Sequence, residues 1–105
     1  GMSVGSTNNN LAQNLKIGLF NAENLFLIFD HPVPHHFQKM NETQWQKLSS
    51  SVYENKSLSK CLQIAQIIKS EAPDIMMLCE VGGEESLKNF NKLFLNGQKD
   101  LISLI

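Results

Sequence analysis

The sequence contains no arginine, few prolines and cysteines, and no apolar run near the ~20 residues that a membrane-spanning helix requires. Without arginine, phosphate recognition within this chain depends on lysine, backbone amides or a metal ion, because the bidentate guanidinium group is missing. Nine lysines stand against ten acidic residues, and the resulting net charge of −1 excludes nucleic-acid binding by bulk electrostatics alone. Two cysteines cannot make a disulfide framework.

The composition that remains is that of one small folded domain. The 105 residues are 42% hydrophobic and 18% charged, which excludes a disordered acidic or basic tail. Cys61 and Cys79 lie in apolar stretches, so we expect buried thiols in a cytoplasmic protein. Gly1 before Met2 resembles a tag remnant, and the polar residues 1–14 are predicted to be a disordered leader without a signal peptide. Residues 15–105 are the predicted domain.

Two predicted strands flank an amphipathic helix. Residues 15–20 alternate in polarity as a short strand does, and residues 75–79 form a continuous apolar run typical of a strand buried on both faces. Between them, residues 57–71 carry apolar side chains at helical spacing. This order predicts an α/β fold with a parallel, right-handed β-α-β unit.

Shorter elements complete the expected fold. Asn41 and Gln44 have the spacing of a helix cap, and a further helix is predicted from Glu84 to about Gly97. The apolar tail, DLISLI, is a candidate third strand.

Polar residues follow both predicted strands. Parallel neighbours have their carboxyl ends on the same sheet edge, about 4.8 Å apart, so Asn21, Glu23 and Glu80 are expected to lie close together. Two carboxylates and an amide oxygen are hard ligands that suit Mg²⁺ or Mn²⁺ and suit Zn²⁺ poorly. The alternative is that they are ordinary polar residues at strand ends.

Two segments resemble a known family. LKIGLFNAENLF (15–26) and PDIMMLCEVGG (73–83) are similar to the start of the endonuclease/exonuclease/phosphatase superfamily, the DNase I-like metal-dependent phosphoesterases and nucleases. Asn21 matches the asparagine that ends the family's first strand, Glu23 the acidic residue two positions on, and Glu80 the metal-binding glutamate. Cys79 stands where glutamine is common. The resemblance covers residues 15–97.

The resemblance implies a fold and a chemistry. The fold would be the N-terminal β-α-β portion of a DNase I-like four-layer α/β-sandwich. Glu80 would bind Mg²⁺ or Mn²⁺, Asn21 would hydrogen-bond within the catalytic site, and Glu23 would lie at or beside the metal. Water would attack a phosphate ester of nucleic acid or of a small molecule. The family's Gly-Asp-x-Asn and Ser-Asp-His segments have no counterpart here, so this chain alone is expected to be inactive.

Other readings of the chain stay open. One is a truncated, non-catalytic binding module that associates through an open sheet edge, for which the uncharged tail is the candidate segment. Another is an unrelated nucleotide-binding fold, resting on Gly82 and Gly83, although a tight strand-to-helix turn is the favoured explanation of the pair.

Two further groups of residues each have two possible roles. His31, His35 and His36 form either a metal cluster or an exposed loop. Trp45 and Tyr53 either stack on nucleic-acid bases or pack against neighbouring elements.

Overall fold

A four-stranded sheet and three α-helices make up the part of the chain that the structure, a computed structural model, describes: residues 2–8, 14–97 and 100–104. The strands are β1 (Met2–Asn8), β2 (Asn14–Leu25), β3 (Ile75–Val81) and β4 (Asp100–Leu104). The helices are α1 (Glu42–Gln46), α2 (Leu58–Glu71) and α3 (Glu84–Phe94), and a 3-10 turn covers Phe37–Lys39. None of these helices is long and apolar enough to cross a bilayer.

The sheet order is β1-β2-β3-β4, and β2, β3 and β4 are parallel. This confirms the predicted α/β class, the parallel pairing of the first two predicted strands and the third strand in the tail. α2 connects β2 to β3, and α3 connects β3 to β4. The four-layer DNase I-like arrangement stays a prediction, since the described residues form two layers.

Residues 2–8 form a strand where the sequence predicted a disordered leader. β1 runs antiparallel to β2, with pairs from Met2–Phe20 to Asn8–Asn14. The pairing uses backbone N–H and C=O groups that β2 would otherwise present as an open edge, so it needs no apolar pattern in β1. The prediction rested on that pattern and missed the strand. The leader's other residues, 1 and 9–13, lie outside the described ranges.

Local signals set the helix ends. Asn41 and Gln44 form the predicted reciprocal cap of α1, in which each side chain accepts a backbone N–H of the other. Ser57 caps α2 by accepting the Lys60 N–H. α2 ends at Ala72, which adopts a left-handed conformation with φ 47° in a position usually taken by glycine.

The helices cover only one face of the sheet. Phe20 and Ala22 of β2 and Met76 and Leu78 of β3 are buried in one cluster with apolar residues of all three helices. Alternate strand residues point to the opposite face, where Leu19 is 42% and Ile102 43% exposed. We call this the open face; its members are Leu15, Ile17, Leu19, Ile75, Met77, Cys79 and Ile102.

Trp45 anchors the short helix α1 in the core. It is fully buried, and its ring contacts Phe29, Phe37 and Phe94 at centroid distances of 5.2, 6.0 and 5.9 Å. Its indole Nε1–H donates to the Lys56 carbonyl at 2.9 Å, as a buried indole requires. The packing explanation of Trp45 is therefore the correct one.

The two cysteines occupy different environments, and both are free thiols. Cys79 is half-buried on the open face, whereas Cys61 is fully buried under α2. Burial raises the pKa of the Cys61 thiol from 9.0 to about 12, because the thiolate cannot be solvated there.

We expect Cys61 to make stability fall at alkaline pH. Above the ordinary thiol pKa, the unfolded chain releases a proton that the folded chain retains, so the free energy of unfolding declines by at most about 1.4 kcal/mol per pH unit. The stabilisation is fully present below the unfolded pKa and is lost as the pH rises toward about 12. Cys61→Ala should therefore cost about 1 kcal/mol less at about pH 10 than at about pH 8 in urea unfolding. The buried neighbour variant Ile64→Val should show no such difference, and an equal cost of Cys61→Ala at both pH values would contradict the prediction.

Candidate functional site

The carboxyl ends of β2 and β3 meet at an irregular edge of the sheet. Asn21 pairs with Cys79, and the next registered pair is Leu25 with Val81. Residues 22–24 of β2 are therefore opposite Glu80 alone, which makes a pronounced bulge. Bulges of this kind often lie beside binding and catalytic sites, where they redirect side chains.

The backbone at this edge is strained on both strands. Glu23, Asn24 and Glu80 have φ values of 49°, 64° and 56°, in the left-handed region that costs a side-chain-bearing residue about 1 kcal/mol or more. The Asn21 side chain stabilises the turn, since its Oδ1 accepts the Glu23 N–H at 3.0 Å. Strained residues concentrate at functional sites. Three of them at adjacent strand ends mark this edge as the candidate site.

The structure divides the predicted site residues between two clefts. A cleft of about 470 Å³, here the rim cleft, contains Glu80; its lining residues are Asn24, Phe26, Tyr53, Glu54, Glu80, Val81 and Gly82. A smaller cleft of about 120 Å³, here the side cleft, contains Asn21 and Glu23 together with Lys56, Lys60 and Gln63. The strand register brings Asn21 next to Glu80's strand end, but the three side chains do not share one cavity.

Lysine side chains supply the positive charge of the side cleft. Lys56 is half-buried, and its Nζ donates to the Glu23 carbonyl at 2.5 Å. Lys60 lies one helical turn further along on the same cleft. In a chain without arginine, these ammonium groups are the available contacts for an anion near Asn21.

The donor set at the strand ends suits a hard cation only. Among the described residues, no group of three or more His, Cys, Asp or Glu side chains is placed to hold a metal. Mg²⁺ commonly uses one or two protein carboxylates and completes its octahedron with water and phosphate oxygens. Glu80 supplies one such carboxylate in the rim cleft, whereas Glu23 and the Asn21 amide lie in the side cleft. His31, His35 and His36 are exposed in their loop.

The segment after β2 forms a wall of the rim cleft through Phe26. Although it has no strand partner, its backbone is fixed by side chains. Ser86 Oγ of α3 accepts the Leu27 N–H at 3.0 Å, and the Asn89 amide donates to the Leu27 carbonyl at 2.7 Å. Asn55 Oδ1 accepts the Ile28 N–H at 3.0 Å.

A second loop brings Tyr53 and Glu54 to the rim cleft. Gln46 holds the Asn55 backbone from both sides, accepting its N–H at 3.0 Å and donating to its carbonyl at 2.7 Å. The Lys56 N–H then donates to the Phe26 carbonyl at 2.7 Å. No spacing in the sequence marks Glu54 as a site residue, since its position depends on these contacts between distant segments.

The start of this loop is tied to Asp30. The Asp30 carboxylate accepts hydrogen bonds from both the hydroxyl and the backbone N–H of Ser50, and these lower the pKa of Asp30 below its ordinary value. The backbone N–H groups of Asp30 and His31 also donate to the Leu48 carbonyl. These contacts join the loop after α1 to the loop after β2.

Glycine is required at positions 82 and 83 for two different structural reasons. A Cβ on Gly82 would lie 2.9 Å from Phe26 Cδ2 and 3.1 Å from Phe26 Cα, so only glycine permits this close approach. The Gly82 N–H donates to the Leu25 carbonyl at 2.8 Å. Gly83 precedes α3 with φ 116°, which few other residues adopt. The pair therefore makes the tight strand-to-helix turn, which is one of the two explanations that the sequence offers for it.

Comparison with known proteins adds no relative: no family model matches the chain, and no curated protein or solved structure is significantly similar to it. The structure is that of a small α/β domain in which three of the four described strands are parallel. Any function must be argued from the residues at the sheet edge.

We expect Ser86→Ala to lower the free energy of unfolding by about 1–3 kcal/mol, because the buried Leu27 N–H loses its acceptor. Urea unfolding followed by Trp45 fluorescence measures the change. The matched control is Ser70→Ala on the exposed side of α2, where we expect a change within about 0.5 kcal/mol. Equal effects of the two variants would show that the Ser86 contact does not hold the segment after β2.

Proposed function

We propose that the chain is the N-terminal portion of a Mg²⁺- or Mn²⁺-dependent phosphoesterase of the endonuclease/exonuclease/phosphatase (DNase I-like) superfamily. The proposal rests chiefly on one observation. Asn21 and Glu80, which carry the sequence resemblance, end neighbouring parallel strands where the backbone is bulged and left-handed. Ligands of open α/β sheets bind at this kind of edge.

The chemistry of each residue is consistent with phosphate-ester hydrolysis. Glu80 would hold the ion, and Glu23, which lies in the side cleft, would act beside the metal as a partner of its water ligands. When bound, the ion supplies the positive charge that polarises the phosphate and stabilises the leaving oxygen. Asn21 Oδ1 accepts the Glu23 N–H, so the amide NH₂ is the end that can donate to a phosphate oxygen. Lys56 and Lys60 attract the same anion from the side cleft.

This portion lacks a group that activates the attacking water. The sequence has no Gly-Asp-x-Asn or Ser-Asp-His segment, and Asp30-His31 lies in the loop after β2, with Asp30 engaged by Ser50. The chain by itself is therefore proposed to bind metal and phosphate without turnover.

We expect the chain to bind Mn²⁺ weakly, with Glu80→Gln reducing the affinity about ten-fold or more because a carboxylate ligand is lost. Titration calorimetry and Mn²⁺ paramagnetic resonance measure this. Glu71→Gln is the matched control: it removes the same charge at the opposite end of the sheet, where Glu71 pairs with Lys16. Identical Mn²⁺ affinity in the parent and in Glu80→Gln would refute the metal site.

An activity assay completes this test. With Mg²⁺ present, neither DNA nor a bis-aryl phosphodiester should be hydrolysed by the chain alone. Robust hydrolysis that Glu80→Gln abolishes would show that the water-activating group lies within these 105 residues.

A second candidate function is that of an interaction module that pairs with another copy of itself. β4 is the last strand of the sheet, and within the described ranges its outer edge has no partner. Ile102 of β4 is 43% exposed on the open face. Two β4 strands related by a two-fold axis would pair antiparallel and continue the sheet across both copies.

For this second candidate, we expect light scattering to show a concentration-dependent dimer that Ile102→Lys abolishes, since charge on an edge strand opposes pairing. Ile67→Lys is the matched control, because Ile67 of α2 is 38% exposed and lies away from β4. A monomer at every concentration in the parent chain would exclude the interaction through β4.

A further inference from the structure

The rim cleft has an unusual combination of lining groups for a site beside a phosphate-binding edge. Both of its charged residues, Glu54 and Glu80, are acidic, and both of its rings, Phe26 and Tyr53, are aromatic. The lysines of this edge line the side cleft instead. With no divalent ion at Glu80, a negatively charged group is therefore repelled from the rim cleft, whereas a positively charged one meets two carboxylates.

The two aromatic rings add a second attraction for a cation. Their centroids are 5.9 Å apart and their planes are inclined by 62°, so the rings form two walls of a corner instead of a flat stack. A ring face carries partial negative charge and attracts ammonium groups within about 6 Å. Aromatic side chains grouped around a pocket are a recognised site for quaternary ammonium groups in proteins.

We propose that the rim cleft binds an organic ammonium ion, with Phe26 and Tyr53 as its aromatic walls and Glu54 and Glu80 as its counter-charges. The volume of about 470 Å³ accommodates a substituted ammonium group. The site goes beyond the proposed hydrolysis and does not require a bound metal. Because Glu80 is shared, a divalent ion at Glu80 lowers the affinity for the ammonium ion.

The corner is held in place before any ligand arrives. Tyr53 is 71% exposed, yet the residues that follow it are fixed by the contacts of Gln46 with Asn55 and of Lys56 with Phe26. Gly82 leaves room against Phe26 that a Cβ would fill. Little ordering of the backbone is therefore required on binding.

The sequence provides an internal reporter and an internal control. Tyr53 is the only tyrosine and Trp45 the only tryptophan. The ring signals of Tyr53 in an NMR spectrum therefore report on the rim cleft, and those of the fully buried Trp45 report on the core. With choline chloride added in the presence of EDTA, we expect saturable shifts at Tyr53 and none at Trp45.

Four variants test the assignment. Tyr53→Ala should weaken choline binding about five-fold, the equivalent of one cation–π contact, and Tyr53→Phe should keep it within about two-fold. Because these two variants remove the Tyr53 signals, the backbone amide signal of Gly82, which also lines the cleft, reports binding in them. Glu54→Gln should weaken binding by a similar factor through the lost counter-charge. Val52→Ala is the matched control in the same loop, where Val52 is 92% exposed and does not line the cleft.

A neutral ligand of the same shape tests whether binding in the rim cleft depends on the positive charge of the ligand. The probe is 3,3-dimethyl-1-butanol, which has a carbon in place of the choline nitrogen, and we expect it to bind at least about five-fold more weakly. Equal binding of the two compounds, or a choline affinity that Tyr53→Ala and Glu54→Gln leave unchanged, would overturn the proposal. Mn²⁺ should reduce choline affinity in the parent. If Glu80→Gln does not alter Mn²⁺ binding while choline still binds as expected, the metal site fails and the ammonium site stands.

Discussion

The buried backbone between β2 and α1 is the constraint on which the site depends. Leu25 and Leu27 are fully buried, and the chain between Phe26 and Ile28 has left the sheet, so its N–H and C=O groups need partners other than a strand. Side chains of α3 and of the loop before α2 supply those partners. An unsatisfied buried amide would cost about 1–3 kcal/mol, so these contacts determine where the segment lies.

This constraint joins three parts of the chain that would otherwise be independent. Ser86 and Asn89 connect α3 to the segment after β2, and Asn55 connects the same segment to the loop that carries Tyr53 and Glu54. The rim cleft is consequently assembled from three segments that are distant in sequence, residues 24–26, 53–54 and 80–82. Hydrogen bonds between distant segments determine the shape of the cleft. The same hydrogen bonds support the strained ends of β2 and β3.

Periodicity and capping signals were sufficient to predict the main elements. The stripe of α2, the apolar run of β3 and the Asn41 cap each depend on residues close in sequence, and each of these elements is confirmed. The expected burial of β3 on both faces is wrong, because the helices cover one face and Ile75, Met77 and Cys79 are only half-buried on the open face. β1 was missed because antiparallel pairing along β2 uses backbone groups that have no side-chain signature. Adjacent strand ends were foreseen for Asn21 and Glu80, but the bulge at residues 22–24 separates their cavities, and no local pattern predicts such a bulge.

The chain entropy lost on forming the sheet differs between its parallel strand pairs. Ile75 of β3 pairs with Ile17, 58 residues away, and with Asp100, only 25 residues away. Closing the longer loop costs about 0.7 kcal/mol more chain entropy, a modest difference because this cost grows only with the logarithm of loop length. The unit β3-α3-β4 is the more local half of the sheet. β2, which carries Asn21 and Glu23, joins it through the strand pairs that are most distant in sequence within the described sheet, so the two sides of the candidate site belong to parts with different contact order.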